Sequence, residues 1–298
     1  MRGLGLSRAT MLPAAWLLAA LLAAAPAGAP PVVNDGHGDY VYVPAGAFRM
    51  GDNFGDGDPR ERPVHLVELD AFYIAKYEMT NGEWKKFRDD PGYDDPQFWP
   101  GGKVAPKNQV PYWNDARNHG GGTPGTDDYP VLGVNWDSAV AYCNWLSAKA
   151  GKRYRLPTEA EWEKAARGTD QRRYPWGNNI DRSYANYVGA QSFDTGSLVG
   201  YYDGSLRGGL QTHSNASPYG AFDMAGNVME WCSDWYSRDY YSVSPRKNPK
   251  GPAEGAYRVL RGGTFFMEQF ELRSYARTAA WPSFQGHRMV GFRAVREP

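Results

Sequence analysis

Apolar residues alternate with polar or small ones in two segments near the start of the chain. The first, VYVPAGAFRMG at residues 41–51, runs into a break rich in glycine, proline and aspartate, and the second, HLVELDAFYIAKYEMT at residues 65–80, resumes the pattern. A period of two between turn residues predicts β-strands. Three shorter stretches near the C-terminus have the same character: NVMEWCSDWY (227–236), RVLRGGTFF (258–266) and VGFRAVR (290–296).

Start and stop signals predict three helices. TNGE at residues 80–83 and TEAE at residues 158–161 are capping boxes, in which the first and fourth side chains each accept a backbone N–H of the other's residue. Asn135 is a suitable N-cap for the segment that follows it. We expect that helix to end at Gly151, because glycine commonly follows the last helical turn.

The remaining segments show neither period. Residues 89–128 are rich in Gly, Pro, Asp and Asn, and we interpret them as long surface loops. Residues 168–219 combine glycine, asparagine and aromatic residues, again without periodicity. Neither a repeat of fixed period nor a convincing linker divides the chain. With 35 glycines, 22 prolines and 20 tyrosines, the sequence predicts one loop-rich domain rather than a helical bundle.

The N-terminus has the pattern of a secretory signal. Arg2 and Arg8 precede an apolar run at residues 11–25, and small residues follow it. We predict cleavage after Ala27, a signal peptide over 1–27, a flexible leader over 28–39 and a domain over 40–298. The alternative is a membrane anchor, but the run is shorter than the roughly 20 residues that a spanning helix needs. The mature protein is therefore expected in the periplasm or outside the cell, and not in the membrane.

Charge and cysteine content narrow the possible partners. Lys plus Arg and Asp plus Glu both total 33, so the formal net charge is zero and nothing favours nucleic acid as a partner. Cys143 and Cys232 would meet an oxidising compartment, where they form either one disulfide or two buried free thiols. Two cysteines argue against a fold held together by disulfides.

Five motifs carry a resemblance to a known family. Together with the start of the domain, their order resembles that of the formylglycine-generating enzyme, or sulfatase-modifying factor, family over residues 40–296. The resemblance implies a single α+β domain with an elaborated C-type-lectin-like topology, in agreement with the few helices and short strands. The motifs are RLPTEAEWEKAARG (155–168), YPWGN (174–178), YGAFDMAGNVMEWCSDWY (219–236), RVLRGG (258–263) and GFR (291–293).

The resemblance implies copper chemistry for which this sequence lacks the thiols. In the copper-dependent members, two cysteines shortly after a Gly-Gly-Ser segment bind Cu(I), a soft ion that suits thiolates. Here the segment is GGTFFMEQFELRSYAR, with Met267 and no cysteine. Copper binding through thiolates is not expected, and both the catalytic residues and any redox cofactor are left unassigned. Met229 and Met289 also depart from the family, which usually has Trp at the first and, in active members, Asn at the second.

A second metal chemistry of the family is also missing. The iron-dependent sulfoxide synthases use a His-x3-His-x-Glu cluster on an additional helical domain. The five histidines of this sequence are isolated from one another, so that iron site is absent. Each histidine is more readily explained as a surface or hydrogen-bonded residue.

Two structural calcium sites are implied by the same resemblance. Carboxylate, amide and carbonyl oxygens from one tight loop suit a hard cation. The implied ligands of the first site are the side chains of Asp223 and Glu230 with the carbonyls of Gly226 and Val228; the alternative there is turn capping with a buried ion pair. The implied ligands of the second site are the side chain of Asn186 and the carbonyl of Tyr187. Its remaining carboxylate is open, and Asp194 fits only loosely.

The paired glycines 262 and 263 predict a bend that borders a pocket, because glycine adopts conformations closed to other residues. Our candidates for recognition there are Thr264, Phe265 and Arg277, although Phe265 could instead belong to the core. Met229 and Met289 complete the pocket candidates. The charged residues nearby would form either structural salt bridges or a cluster that reads the substrate; they are Arg261, Glu268, Glu271, Arg273 and Arg277.

Two functional hypotheses follow from the resemblance. The first is an extracytoplasmic oxidoreductase-like protein that matures a peptide or protein by oxidation without the two-cysteine copper mechanism, so formylglycine generation itself is not expected. The second is a non-catalytic binding or maturation factor, like cysteine-lacking paralogues of the family. The expected partner is a peptide or protein, for example a periplasmic metalloenzyme or a siderophore precursor.

Overall fold

The computed structural model describes residues 32–108, 110, 113–188, 195–284 and 288–298. Within these ranges the chain forms short strands, three α-helices and several single turns of 3-10 helix. The strands are β1 (Val32–Asn34), β2 (Asp39–Val43), β3 (Gly46–Met50), β4 (His65–Leu69), β5 (Phe72–Ala75), β6 (Tyr154–Arg155), β7 (Leu206–Arg207), β8 (Leu210–Gln211), β9 (Met229–Trp235), β10 (Arg258–Arg261), β11 (Thr278–Ala280), β12 (Val290–Gly291) and β13 (Val295–Arg296). The helices are α1 (Asn81–Arg88), α2 (Trp136–Ala150) and α3 (Glu159–Arg167).

Two sheets organise the domain. The larger has five strands in the order β1-β2-β5-β13-β6, and the other has four in the order β11-β10-β9-β12. β13, near the C-terminus, pairs with β5 on one side and with β6 on the other, so it joins the N-terminal strands of the larger sheet to β6. β1 pairs antiparallel with β2, so from Val32 onward the segment predicted as a flexible leader is a strand of the sheet. The predicted signal peptide lies outside the described residues.

The helices begin and end where the local signals predict. Thr80 and Thr158 each cap a helix in a complete capping box with the glutamate three residues later. Asn135 caps α2 by accepting the backbone N–H of Ser138, and Gly151 ends it at a φ of 65°. α3 differs from a surface helix because every one of its nine residues is buried. Its charged side chains therefore need partners inside the protein.

The segment 89–128 is only partly a surface loop. Its short 3-10 turns are capped by aspartates, which satisfy backbone N–H groups that strands or helices would otherwise pair. Large side chains of this segment enter the core beside α1 and α2, where aromatic burial outweighs the lack of regular structure. The expectation of a surface loop was wrong for these residues: Tyr93, Trp99, Val110 and Trp113.

Both cysteines are buried free thiols. Cys143 lies on α2 and Cys232 on β9, in two different core clusters. Burial raises the pKa of the Cys143 thiol to about 12, so it is a poor nucleophile at neutral pH. Of the two alternatives from the sequence, the structure has the free thiols and not the disulfide. None of the helices in the described residues is long and apolar enough to span a membrane.

Candidate functional site

A cavity of about 300 Å³ opens beside the double glycine, between the C-terminal loop and the segment that follows β3. Met229 and Leu260 contribute from neighbouring strands, so the end of the four-stranded sheet forms one wall. The other lining residues come from loops at both ends of the chain. They are Asp56, Gly57, Asp58, Arg60, Glu61, Arg261, Gly262, Gly263, Met267, Phe270, Glu271, Arg273, Ala276, Arg277 and Thr278.

Gly262 and Gly263 form the predicted bend at this cavity. Both have positive φ, 96° and 69°, a region that favours glycine. A Cβ on Gly263 would lie 2.9 Å from the Leu272 side chain and 3.0 Å from the Glu271 carbonyl oxygen. A Cβ on Gly262 would lie 3.2 Å from the Trp162 ring. The prediction is confirmed, and close packing as well as conformation requires these glycines.

The arginines around the bend are held by α3. Arg277 makes a two-point ion pair with Glu159, at 2.7 and 2.8 Å, and Arg261 donates to Glu163 at 2.5 Å. Burial alone would raise the pKa of Glu159, but the Arg277 and Arg261 guanidinium groups hold it below its usual value. Salt bridges inside the protein therefore account for these two members of the charged cluster.

Asp56, in the loop after β3, is hydrogen-bonded to residues of two distant loops that border the cavity. Its carboxylate accepts hydrogen bonds from Arg173 at 2.6 Å, Arg273 at 2.9 Å and the Tyr275 hydroxyl at 2.7 Å. Burial opposes ionisation, but the Tyr275 hydroxyl and the Arg173 and Arg273 guanidinium groups hold the pKa of Asp56 below its ordinary value. The sequence analysis did not select Asp56, because its partners lie more than a hundred residues away along the chain.

Glu61 is the most buried carboxylate that lines the cavity, with only 3% of its surface exposed. It accepts the backbone N–H of Asp58 at 3.1 Å and that of Arg277 at 3.4 Å. Burial raises the pKa of this carboxyl above its ordinary value. Asp58, Pro59 and Glu61 carry the spacing of a capping box, a signal that could have selected Glu61 and that the sequence analysis did not use.

The five pocket candidates are placed differently from one another. Met229 and Arg277 line the cavity as predicted. Thr264 and Phe265 are buried, 0% and 3% exposed, and do not line it, so Phe265 is a core residue. Met289 is partly buried against the core, with its carbonyl accepting the N–H of Met229, and is not part of the lining.

The first implied calcium site is occupied by protein donors. Arg293 binds both oxygens of Glu230 at 2.6 Å, and the indole N–H of Trp162 donates to the same carboxylate at 2.7 Å. The Asp223 carboxylate accepts the N–H of Gly200 at 2.5 Å and the amide of Asn215 at 2.9 Å. A calcium ion on Glu230 would have to displace a buried guanidinium. The arrangement fits the buried ion pair and does not fit calcium, contrary to the set Asp223, Gly226, Val228 and Glu230.

A third carboxylate, Glu78, completes this buried group and was missed by the sequence analysis. It accepts the amide of Asn227 at 2.6 Å and the backbone N–H of Val228 at 3.2 Å. Burial, and then the charges of Asp223 and Glu230, raise its pKa well above the ordinary value. Within the described ranges, no group of three or more His, Cys, Asp or Glu side chains is placed to hold a metal ion.

The second implied site keeps an open ligand. The side-chain oxygen of Asn186 is buried and has no hydrogen-bond partner in the described part of the chain, whereas its amide donates to the carbonyl of Thr195. An orphaned buried oxygen is costly, and a bound cation would satisfy it. Tyr187 follows it and is 7% exposed. Asp194 lies outside the described residues. The side-chain oxygen of Asn186 is therefore open to a hard cation in a way that the Glu230 carboxylate is not.

A second cavity continues the first. It has a volume of about 450 Å³ and is lined by residues of the loop 173–180. Asp56, Phe270 and Arg273 line both cavities, so the two adjoin, and we call them together the groove. Phe270 is 55% exposed and stands where they meet. A groove of two compartments suits an extended ligand such as a peptide better than a single small molecule.

Short strands, long loops and a groove at a double-glycine bend define a protein of the formylglycine-generating-enzyme-like class. The chain belongs to the family described as "Sulfatase-modifying factor enzyme 1-like domain", whose model matches residues 29–298. The family resemblance read from the motifs is thereby confirmed, and so is the single α+β domain.

Individual relatives agree with this assignment. The chain is 36% identical over 296 residues to "Formylglycine-generating enzyme" of Thermomonospora curvata, covering 87% of this chain and 93% of the relative. It is 37% identical over 243 residues to "Serine/threonine-protein kinase pkn1" of Chlamydia caviae, covering 79% of this chain; it spans about a third, 34%, of that relative's length. Among solved structures, PvdO from Pseudomonas aeruginosa superposes with a TM-score of 0.70 at 26% identity, covering 91% of this chain and 100% of PvdO.

Proposed function

We propose that this family member matures a peptide or protein substrate by oxidation, in an extracytoplasmic compartment, without the two-cysteine copper mechanism. The observation that carries the proposal is the two-compartment groove at Gly262 and Gly263; among the residues that the structure describes, its lining contains neither cysteine nor histidine. Both cysteines of the chain are buried elsewhere. The relationship to formylglycine-generating enzymes supports an oxidative reaction on a polypeptide.

The groove supports a substrate that is extended. Phe270 presents an exposed ring between the compartments, and Asn178 and Asn179 line the far one. Side-chain amides and an aromatic surface are groups that bind peptide backbone and apolar side chains. A periplasmic metalloenzyme or a siderophore precursor would be a substrate of this kind. The apolar run at the N-terminus supports the extracytoplasmic location.

One part of the proposal can be tested with a defined substrate. Mature protein, loaded with Cu(I), is incubated with a Cys-x-Pro-x-Arg peptide, and the mass of the peptide is then measured by mass spectrometry. We expect no formylglycine, because no thiolate lines the groove. Steady production of the aldehyde at normal turnover would contradict the proposal.

The oxidative part needs a comparison in the source cells. Peptides and small proteins from wild-type, deletion and blocked-groove strains are compared by mass spectrometry, with Ala276→Trp as the blocking change and Tyr257→Trp as an exposed control. We expect a species two hydrogens lighter or one oxygen heavier that depends on the open groove. Identical masses in all strains would contradict oxidation.

A second candidate function is binding without chemistry. Three arginines of the lining, Arg277, Arg261 and Arg273, form ion pairs with Glu159, Glu163 and Asp56 respectively. This candidate is favoured because these ion pairs leave few free reactive groups in the groove. In that case the protein would act as an accessory factor for a maturing partner. Groove-dependent binding of a partner whose mass never changes would favour this candidate over the first.

We also propose a structural calcium ion at Asn186 and Tyr187. Calcium would take the orphaned Asn186 side-chain oxygen as a ligand and fix this side chain beside the carbonyl of Thr195. Its role would be stability, with no part in the reaction. Loss of a calcium-dependent rise in melting temperature on changing Asn186 would support it.

A further inference from the structure

Four aromatic rings form a continuous stack that runs from the groove to the protein surface. Tyr174 stacks on Trp176, with the ring centroids 5.5 Å apart and the ring planes 8° from parallel. Trp176 stacks on Tyr184 at 5.3 Å and 13°, and Tyr184 stacks on His213 at 4.6 Å and 16°. Successive near-parallel pairs bring the π faces of neighbouring residues into contact.

The two ends of the stack differ in their surroundings. Tyr174 lines the second cavity, is 3% exposed and donates its hydroxyl to the carbonyl of Gln269 at 3.1 Å. His213, at the other end, is exposed to solvent. Trp176 and Tyr184 lie between them and are partly buried. The stack therefore links a buried position in the groove with the protein surface.

The parallel order of the rings is not the general rule in this protein. Phe87, in the core beside α1 and α2, meets the neighbouring rings at interplanar angles from 32° to 89°. In the stack, polar contacts hold individual rings in place. The indole N–H of Trp176 donates to the carbonyl of Asn179 at 2.7 Å, and Nδ1 of His213 lies 2.7 Å from the Ser183 hydroxyl oxygen.

Tyrosine and tryptophan rings lose a single electron more readily than other side chains, thiolates excepted. Both cysteines are buried elsewhere, and the described lining of the groove contains no cysteine. Electrons taken from a substrate in the groove must pass either to a co-substrate bound there or to an acceptor outside the protein. A stack of easily oxidised rings suits the second route, because each transfer covers only one ring-to-ring step.

We propose that Tyr174, Trp176 and Tyr184 form an electron relay from the groove to a metal-centred one-electron acceptor that approaches the exposed His213 end. This inference rests on the proposed function, because the substrate is the electron donor. For the loss of two hydrogens, the substrate releases two electrons, one at a time, and two protons to water. Two acceptors are each reduced by one electron. Each ring gives up and regains one electron per passage, so the relay ends unchanged.

The test attaches a ruthenium polypyridyl photosensitiser to Ser214→Cys, an exposed position next to His213 in the chain. Both native thiols are buried, so the label attaches to the new cysteine. A flash with an added electron-accepting quencher produces the oxidised photosensitiser at the surface end of the relay. We expect a transient tryptophan radical, and oxidation products at Tyr174 by mass spectrometry. Tyr241, which is also buried but lies outside the stack, should stay unmodified.

Variants of the labelled protein then test the path. Trp176→Phe places a ring that is hard to oxidise in the middle of the stack, so the tryptophan transient and the products at Tyr174 should be lost. Products at Tyr184, between the photosensitiser and the break, should remain. Trp281→Phe removes an exposed tryptophan outside the stack and, as the matched control, should behave like the labelled parent. If Trp176→Phe does not fold, Tyr184→Phe breaks the stack nearer the surface and should lose both signals.

Absence of products at Tyr174 in the labelled parent, or their persistence when the stack is broken, would overturn the inference. These readouts do not depend on turnover. If the signals depend on Trp176 but no oxidised species is found in cells, the proposed function fails and the electron path stands. If cells with Trp176→Phe form the oxidised species at an undiminished level, the oxidation stands and the relay fails.

Discussion

Replacing Glu230 with glutamine tests whether this carboxylate is half of an ion pair or a calcium ligand. In the structure both oxygens bind Arg293, and the side chains of both residues are fully buried. Glutamine keeps the size of the side chain and one acceptor but leaves the guanidinium without its counter-ion. Removing one partner of a buried pair generally costs about 3–5 kcal/mol.

The surroundings place the expected loss at the lower end of that range. Arg293 also donates to the carbonyls of Ala75 at 3.1 Å and Phe222 at 2.9 Å, and these bonds survive the change. Glu78 and Asp223 lie near enough to stabilise the charged guanidinium and would replace part of the lost attraction. We therefore expect Glu230→Gln to lower the free energy of unfolding by about 3 kcal/mol.

Urea denaturation with calcium and with a chelator measures this loss. Glu68→Gln is the matched control, because its ion pair with Arg246 is exposed and should contribute less than about 1 kcal/mol. The double variant Glu230→Leu with Arg293→Met should lose much less than the sum of its parts, since both charges are removed together. A loss that appears in calcium and disappears in chelator would refute the ion-pair explanation and restore Glu230 as a ligand.

Three further predictions test other features. Calcium at about 100 times its dissociation constant should add roughly 2.7 kcal/mol to the free energy of unfolding. Asn186→Ala should abolish this increment, and Glu230→Gln should keep it. A full increment in Asn186→Ala would contradict the calcium proposal. Burial raises the pKa of Asp234 to about 8, so its contribution to stability is complete below its unfolded pKa near 4 and is lost as the pH rises to about 8. Asp234→Asn should therefore make the melting temperature less dependent on pH between about 4 and 8, and parallel curves for the two proteins would count against this. Gly263→Ala should lower the free energy of unfolding, measured by chemical denaturation, by clearly more than the roughly 1 kcal/mol that an unfavourable φ costs. Gly209 has a φ of 85° and open space around it, so Gly209→Ala should lower that free energy by only about 1 kcal/mol. Equal losses in the two variants would contradict the packing argument.

Local signals predicted the parts of the fold that depend on near neighbours. The capping boxes at Thr80 and Thr158 are complete within four residues. Alternation placed β3 and β4, in which every second residue is buried, whereas β5 is buried at all four positions. The burial of Tyr93 could not be predicted in this way. A segment rich in Pro and Gly has no period, so its contacts with α1 and α2 depend on tertiary packing alone.

In the candidate site, too, features that depend on near neighbours were predicted, and features that depend on distant contacts were not. The bend at Gly262 and Gly263 follows from the freedom of glycine and was predicted, as was the position of Met229 beside it. The family resemblance implied that Glu230 is a calcium ligand, but its partner in the structure is Arg293, which comes 63 residues later in the chain. Asp56 carries no motif, and the capping box that contains Glu61 does not show that this residue lines a cavity. Their importance arises from where distant parts of the chain meet.

The links across the groove also determine when the site can form. Asp56 and Tyr275 are 219 residues apart, and Glu61 and Arg277 are 216 residues apart, yet each pair is in contact. Contacts so distant in sequence have a large loop-closure cost and slow the folding of a chain. A polypeptide still emerging from the ribosome or from an export channel has the residues of β2 and β5 long before it has those of the groove. The groove therefore cannot form before residues 261–278 are made, and a chain truncated before them would lack it.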